Sequence, residues 1–310
     1  MTSSYQRYFI TSLKLIGLAT IVILISHYYR TNIIRSESFS WSALNLEKVV
    51  GFCGLLLVIQ LLYALIWMLF IRGFGHPINL SNAFISTYYP VLTKYLPGKG
   101  WFQIGRIFLM TKSNIRAEVG LTINIMEQIV VIYTGLLVSS PLLGRFFDPV
   151  GLAIILLIAT ILMLALLFYQ DFFTSQFTRF RRFFKISDAV ATSEKIQPGT
   201  AFSYILIYTV NWVLWGILFW IGVILLDSES VMSLPMAVGS FTFSSIVGFL
   251  LPVTPAGLGI REGALLLFLG KLVNPAALFN ATIGIRFCTI IGEIIMFLIA
   301  LMLKTKNKNA

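Results

Sequence analysis

Six ionisable side chains interrupt stretches of this sequence that are otherwise almost wholly apolar: Arg106, Glu127, Arg261, Glu262, Arg286 and Glu293. A charge at the middle of a bilayer costs at least ~2.5–3.5 kcal/mol, so each needs a partner or a wet cavity. Two chemistries meet that need. Three arginines and three glutamates can neutralise one another as a permanent network that fixes helix packing. Alternatively, some arginines stay open to an anion such as a lipid phosphate, which suits the rigid, permanently charged guanidinium fork. Arg286 and Glu293 are seven residues apart and so share a helix face.

The arginines recur in a pattern. Pro97 and Arg106 in YLPGKGWFQIGR are nine residues apart, as are Pro252 and Arg261 in LLPVTPAGLGIR, and the second copy follows 155 residues after the first. The same offset carries 47–71 onto 202–226, and 114–140 falls near 275–303 once a few inserted residues are allowed. Paired halves broken at matching places point to a transport site. The breaks are made by Pro97, Gly98, Pro252, Pro255, Gly257 and Gly259. Proline removes a helix hydrogen bond, and glycine lets backbones approach closely. A helix starting near Ile260 is expected to aim free N–H groups at an anion. The same glycines can serve close helix packing instead. Glu127 and Arg286 lie midway along equivalent stretches, so they are expected to face each other across a pseudo-two-fold axis.

Positioning these groups requires membrane-spanning helices. Residues are 58% hydrophobic and 11% charged, against about 25% charged in soluble domains. The sequence predicts an all-α integral membrane protein, one polytopic domain over 1–310. Six full spans are expected at about 9–29, 47–71, 117–140, 149–170, 200–226 and 275–303, each with the roughly 20 apolar residues a bilayer needs. The first reads as uncleaved, since no small-x-small site follows it. Two interrupted regions, about 78–112 and 231–272, read as re-entrant helical hairpins, whose freed backbone groups must be buried in protein or meet water. Pseudo-repeats of about 45–170 and 200–303 are joined by a basic loop, 171–199.

Charge orients the chain. Arg179, Arg181, Arg182, Lys185 and Lys195 in that loop, and Lys304, Lys306 and Lys308 in the tail, fall inside if both termini are cytoplasmic. Asp227 and Glu229 then fall outside. The repeats become inverted, with one hairpin entering from each face. Arg179 to Phe184 can form an amphipathic surface helix, or the loop can be a solvated linker that only sets topology. Lys94, Lys99 and Lys112 read as interface anchors. The net charge of +11 is spread over the ends of apolar runs rather than gathered in a patch, which argues against nucleic acid as a partner.

Catalytic and metal chemistry find little support. Cys53 and Cys288 lie in apolar runs and read as small core residues, with no metal-ligand spacing. His27 and His76 lack a Ser or Asp partner in sequence, and Asp148, Asp171, Asp188 and Asp227 are isolated. No Gly-x4-Gly-Lys-Ser/Thr is present, so ATP is not the expected drive. No metal, cofactor or enzymatic turnover is expected.

At Leu96-Pro97-Gly98…Arg106 with Glu127, and more specifically at Pro255-Ala256-Gly257-Leu258-Gly259-Ile260-Arg261-Glu262-Gly263 followed by Arg286, the chain resembles a known family. This is the flippase-like transmembrane domain of lysylphosphatidylglycerol synthase/flippases and their stand-alone relatives. The resemblance implies a plasma-membrane protein that moves phospholipids or polyprenyl-linked lipids between leaflets, with the six charges at the headgroup site. Arg106 would meet the headgroup on the cytoplasmic side and Arg261 on the outer side. Two departures stand out: Ala256 where a second glycine is common, and Gln128 where an arginine is common. With no soluble aminoacyl-transferase domain expected within 310 residues, the chain is not expected to make lysyl-lipid by itself. A partner subunit that holds a lipid synthase or glycosyltransferase at the membrane is the competing expectation, with a lipid-modifying membrane transferase ranked behind it.

Overall fold

Apolar runs longer than twenty residues have one economical solution in lipid, a helix that satisfies its own backbone. The computed structural model describes residues 46–95, 100–168, 198–227, 230–251, 257 and 259–309, and within them it is helical, with no strand. The expected span 9–29, the basic segment 171–197, and Pro97, Gly98, Pro252 and Pro255 lie outside the described residues.

Ten α-helices follow in order: α1 (Leu46–Gly73), α2 (Leu80–Tyr88), α3 (Trp101–Thr111), α4 (Ala117–Val138), the short α5 (Ser140–Leu143), α6 (Pro149–Phe168), α7 (Pro198–Leu226), α8 (Leu234–Leu250), α9 (Ile260–Leu269) and α10 (Pro275–Asn309). A 3₁₀ turn, Val91–Tyr95, separates α2 from α3. Four helices, α1, α4, α7 and α10, are long and apolar enough to cross a membrane, and the apolar stretches of α6 and α8 are shorter. The helix of α10 continues through the lysine-bearing tail that the sequence set apart. Charges past the apolar zone do not oppose helix formation; they only move it into water.

Both interrupted regions are helix–break–helix units: α2, the 3₁₀ turn and α3 in the first, α8 and α9 in the second. Four of their hydroxyls are spent locally, while those of Ser240 and Thr242 in α8 are buried with no hydrogen-bond partner. Ser86 and Thr87 donate to the Ala83 carbonyl, each at 2.9 Å, and Ser244 and Ser245 donate to that of Phe241 at 3.0 and 2.6 Å. Closing hydroxyls onto the preceding turn lets polar residues lie in an apolar helix without exposing an orphaned group.

Two large apolar cores hold the bundle, with a smaller one joining α1, α2 and the 3₁₀ turn to α10. One joins the C-terminal part of α1 (Ile66, Trp67, Phe70, Ile71) to Ile123 of α4 and to Tyr204 and Tyr208 near the start of α7. The other joins the N-terminal part of α1 (Phe52, Leu56, Ile59) to Leu218, Phe219 and Val223 near the end of α7, with α8, α9 and α10. Helices α1 and α7 therefore lie antiparallel, each running through both cores. Packing partners also exchange between the halves: α1 packs on α2 as α7 does on α8, α3 on α4 as α9 on α10, and α10 on α2 as α4 on α8. Outward positions such as Leu57, Leu61, Ile154, Leu157 and Phe287 remain exposed, as a lipid solvent permits. Cys53 belongs with them and so is not the core residue expected, whereas Cys288 is half-buried and packs against the second core. An apolar thiol on a lipid-facing helix surface has no need of a protein pocket.

Candidate functional site

Helix α3 opens after Gly100, whose φ of 108° is cheap only for glycine. Arg106 lies in the middle of this helix and points into the bundle. Its Nη1 donates to Glu127 Oε2 at 2.6 Å and its Nη2 to Oε1 at 3.3 Å, a bidentate pair with both side chains at 0% exposure. Tyr208 of α7 donates its hydroxyl to Glu127 Oε1 at 2.6 Å. The guanidinium carbon lies 3.3 Å from the Trp67 ring centroid and 5.2 Å from that of Phe102. Charge, hydrogen bonding and aromatic faces all offset the cost of removing Arg106 from water. The pair is sealed.

Helix α9 opens after Gly259, at φ 82°, with Gly257 at φ 68° just before it. A Cβ on Gly257 would lie 2.9 Å from the Gly248 carbonyl oxygen, so here the loop backbone touches the backbone of α8. Glu262 Oε2 accepts the Gly259 N–H at 2.7 Å, and its other oxygen pairs with Arg286 of α10. Arg286 Nη2 also donates to the Gly257 carbonyl at 3.1 Å. Arg261 differs from both other arginines. It is half-buried over Phe241, its guanidinium carbon 4.1 Å from the ring centroid. Among the described residues no carboxylate pairs with it; its buried Nε has no hydrogen-bond partner, a feature it shares with the Nε of Arg106. Arg261, Arg286 and Glu262 together carry one net positive charge.

The six charges thus come together in three groups rather than one. Glu127 pairs with Arg106 and Arg286 with Glu262, so the expected facing of Glu127 and Arg286 across an axis is replaced by pairs that close within each half. The reason lies in the helix starts. Arg106 sits mid-helix in α3, whereas Arg261 is the second residue of α9, so equal distance from a proline does not place them alike. The free N–H groups expected at Ile260 are also partly taken, because Glu262 caps that end. Glu293 pairs with Lys94 and accepts from the Tyr95 hydroxyl at 2.9 Å. Lys94 therefore clasps α10 rather than merely anchoring an interface. Trp67, Tyr208 and Phe241 belong to the site and were not singled out in the sequence, where an aromatic in an apolar span looks like any other core residue.

Long apolar helices, two helix–break–helix units and buried ion pairs define a multi-pass helical membrane protein. Residues 12–296, nearly the whole chain, match the family described as lysylphosphatidylglycerol synthase TM region, and the chain belongs to it. No curated protein matches the chain.

Proposed function

We propose that this protein moves lipids between the leaflets of the plasma membrane, passing an anionic or lipid-linked headgroup through a polar path between its two broken segments. The observation that carries the reading is Arg261, a half-buried cation with no carboxylate partner among the described residues. An unneutralised guanidinium inside an apolar bundle is costly unless something anionic visits it. Its fork suits a phosphate, and Arg286 supplies a second cation once Glu262 is displaced. Arg106, sealed by Glu127, holds the first half in shape in this conformation and meets a headgroup only if that pair opens.

The exchange of packing partners and the antiparallel α1 and α7 support an inverted repeat of about 45–170 and 200–303. The broken segments act as re-entrant hairpins. At 1.5 Å per residue, α2, α3 and α9 span only about 13–17 Å, roughly half the hydrocarbon thickness. Basic segments at 171–199 and 304–308 support cytoplasmic termini, and span 9–29 would complete six crossings. Phospholipid or polyprenyl-linked cargo crosses without bond making or breaking, so no cofactor takes part.

The test is translocation of fluorescent lipids with different headgroups in proteoliposomes, read by protection from dithionite. Arg261→Ala should slow translocation by an order of magnitude or more, as the loss of a charge-assisted contact implies, and Arg261→Lys should retain part of the rate. Unchanged rates in a folded Arg261→Ala protein sink the role given to Arg261. Parent rates equal to empty vesicles for every headgroup favour a membrane subunit that holds a lipid synthase or glycosyltransferase.

A further inference from the structure

A cavity of about 820 Å³ opens where the turn after α1 meets the turn between α3 and α4. Its wall includes Arg72, His76, Asn79, Asn82, Lys112 and Asn114, and no lining residue is acidic. Two of these residues are held in place by backbone geometry. Arg72 Nε donates to the Ile78 carbonyl at 2.9 Å, which fixes the guanidinium at the wall. Asn114 takes the left-handed conformation, φ 61°, that turns the chain out of α3; asparagine tolerates it better than most residues. Lys112 is exposed, its ammonium 5.0 Å from the Phe108 ring centroid.

Lys112 also ends an exposed apolar face. Trp101, Ile104 and Phe108 are 51, 57 and 58% exposed, and their spacing of three, four and then four residues to Lys112 puts all four on one side of α3. A cation closing an apolar face beside a polar, acid-free cavity matches one kind of molecule: a phosphate with an acyl chain attached.

We propose that this cavity seats the phosphate of an anionic phospholipid between Lys112 and Arg72, with an acyl chain along Trp101, Ile104 and Phe108. Basic pockets between membrane helices take lipid headgroups in this way. A free phosphate offers the cations at least as much charge but makes no use of the apolar face. The site lies on turns apart from Arg261, and it does not depend on translocation.

The test uses the full chain purified in a neutral detergent. Phosphatidylglycerol brominated on its acyl chains quenches tryptophan fluorescence by contact, and Trp101→Phe identifies the share due to Trp101. Quenching of that share should half-saturate at about a fivefold lower mole fraction for brominated phosphatidylglycerol than for brominated phosphatidylcholine, the weight of one lysine at an anionic surface. Lys112→Gln should abolish the preference, Lys112→Arg should keep it, and millimolar inorganic phosphate should leave it unchanged. Lys112 is exposed, so an unaltered melting temperature checks that the variants remain folded. Equal half-saturation for the two lipids, or a preference that survives Lys112→Gln, overturns the proposal. Displacement of the bromolipid by inorganic phosphate overturns it too, since the occupant is then a soluble phosphate. Translocation by the Lys112 variants is a separate reading, so failure here leaves the role of Arg261 standing.

Discussion

Arg106 and Glu262 hold reciprocal places with opposite charge. Each sits on the short second helix of a broken segment, and each is bound to the long helix that follows, Arg106 to Glu127 on α4 and Glu262 to Arg286 on α10. The cation lies on the short helix in the first half and on the long helix in the second. Either sign order ties the two helices together equally well, so the packing of the halves can stay alike while the charges trade places. Among the described residues, only the second half carries an extra cation beside its pair, Arg261.

The first pair is fully buried, so removing one partner strands the other. Glu127→Gln should cost about 3–5 kcal/mol, measured as loss of thermal stability in detergent. The double variant Arg106→Met/Glu127→Leu should recover most of that loss, because no charge is left to desolvate. A single variant as stable as the parent contradicts the account of a sealed pair.

Glu293 joins α10 to the end of the first broken segment through Lys94 and Tyr95. Lys94 is a third exposed, so water screens much of its attraction, and Glu293→Gln should cost only about 1 kcal/mol. A double-mutant cycle of Glu293→Gln with Lys94→Met is the measurement. Additive losses within error mean that the two side chains meet without coupling.

Gly257 and Gly263 lie six residues apart and should respond oppositely to alanine. At Gly257 the left-handed φ alone costs about 1–2 kcal/mol, and the new Cβ meets the Gly248 carbonyl as well. At Gly263 the added carbon meets nothing within 4 Å, and alanine in a helix gains about 0.5–1 kcal/mol over glycine. Melting temperatures should fall for Gly257→Ala and hold or rise for Gly263→Ala. Equal shifts argue against the close backbone approach.

The long helices were readable in the sequence because bilayer thickness leaves little choice of length. The stretches 47–71 and 200–226 became Leu46–Gly73 and Pro198–Leu226, each within two residues of expectation at either end. Both interrupted regions are broken in the structure, between α2 and α3 and between α8 and α9, while Pro97, Gly98, Pro252 and Pro255 lie outside the described residues. Partnership was not readable. Which carboxylate meets Arg106 depends on the angle and rotation at which α3 crosses α4, and residue types do not encode that. Lys94 and Glu293 meet across 199 positions of sequence, with no local sign of it. One missed feature did leave a trace: Glu262 stands three residues after Gly259, the spacing at which a side chain reaches back to cap its own helix.

Helices α1 and α7 contribute to both large apolar cores, one end of each helix to each core. Each core is built mostly from one half of the chain and is completed by one end of the other half's long helix. Detached from the other, either half would present the uncovered flank of a long helix where its neighbour had lain. The two halves cannot part like the valves of a shell without emptying both cores at once.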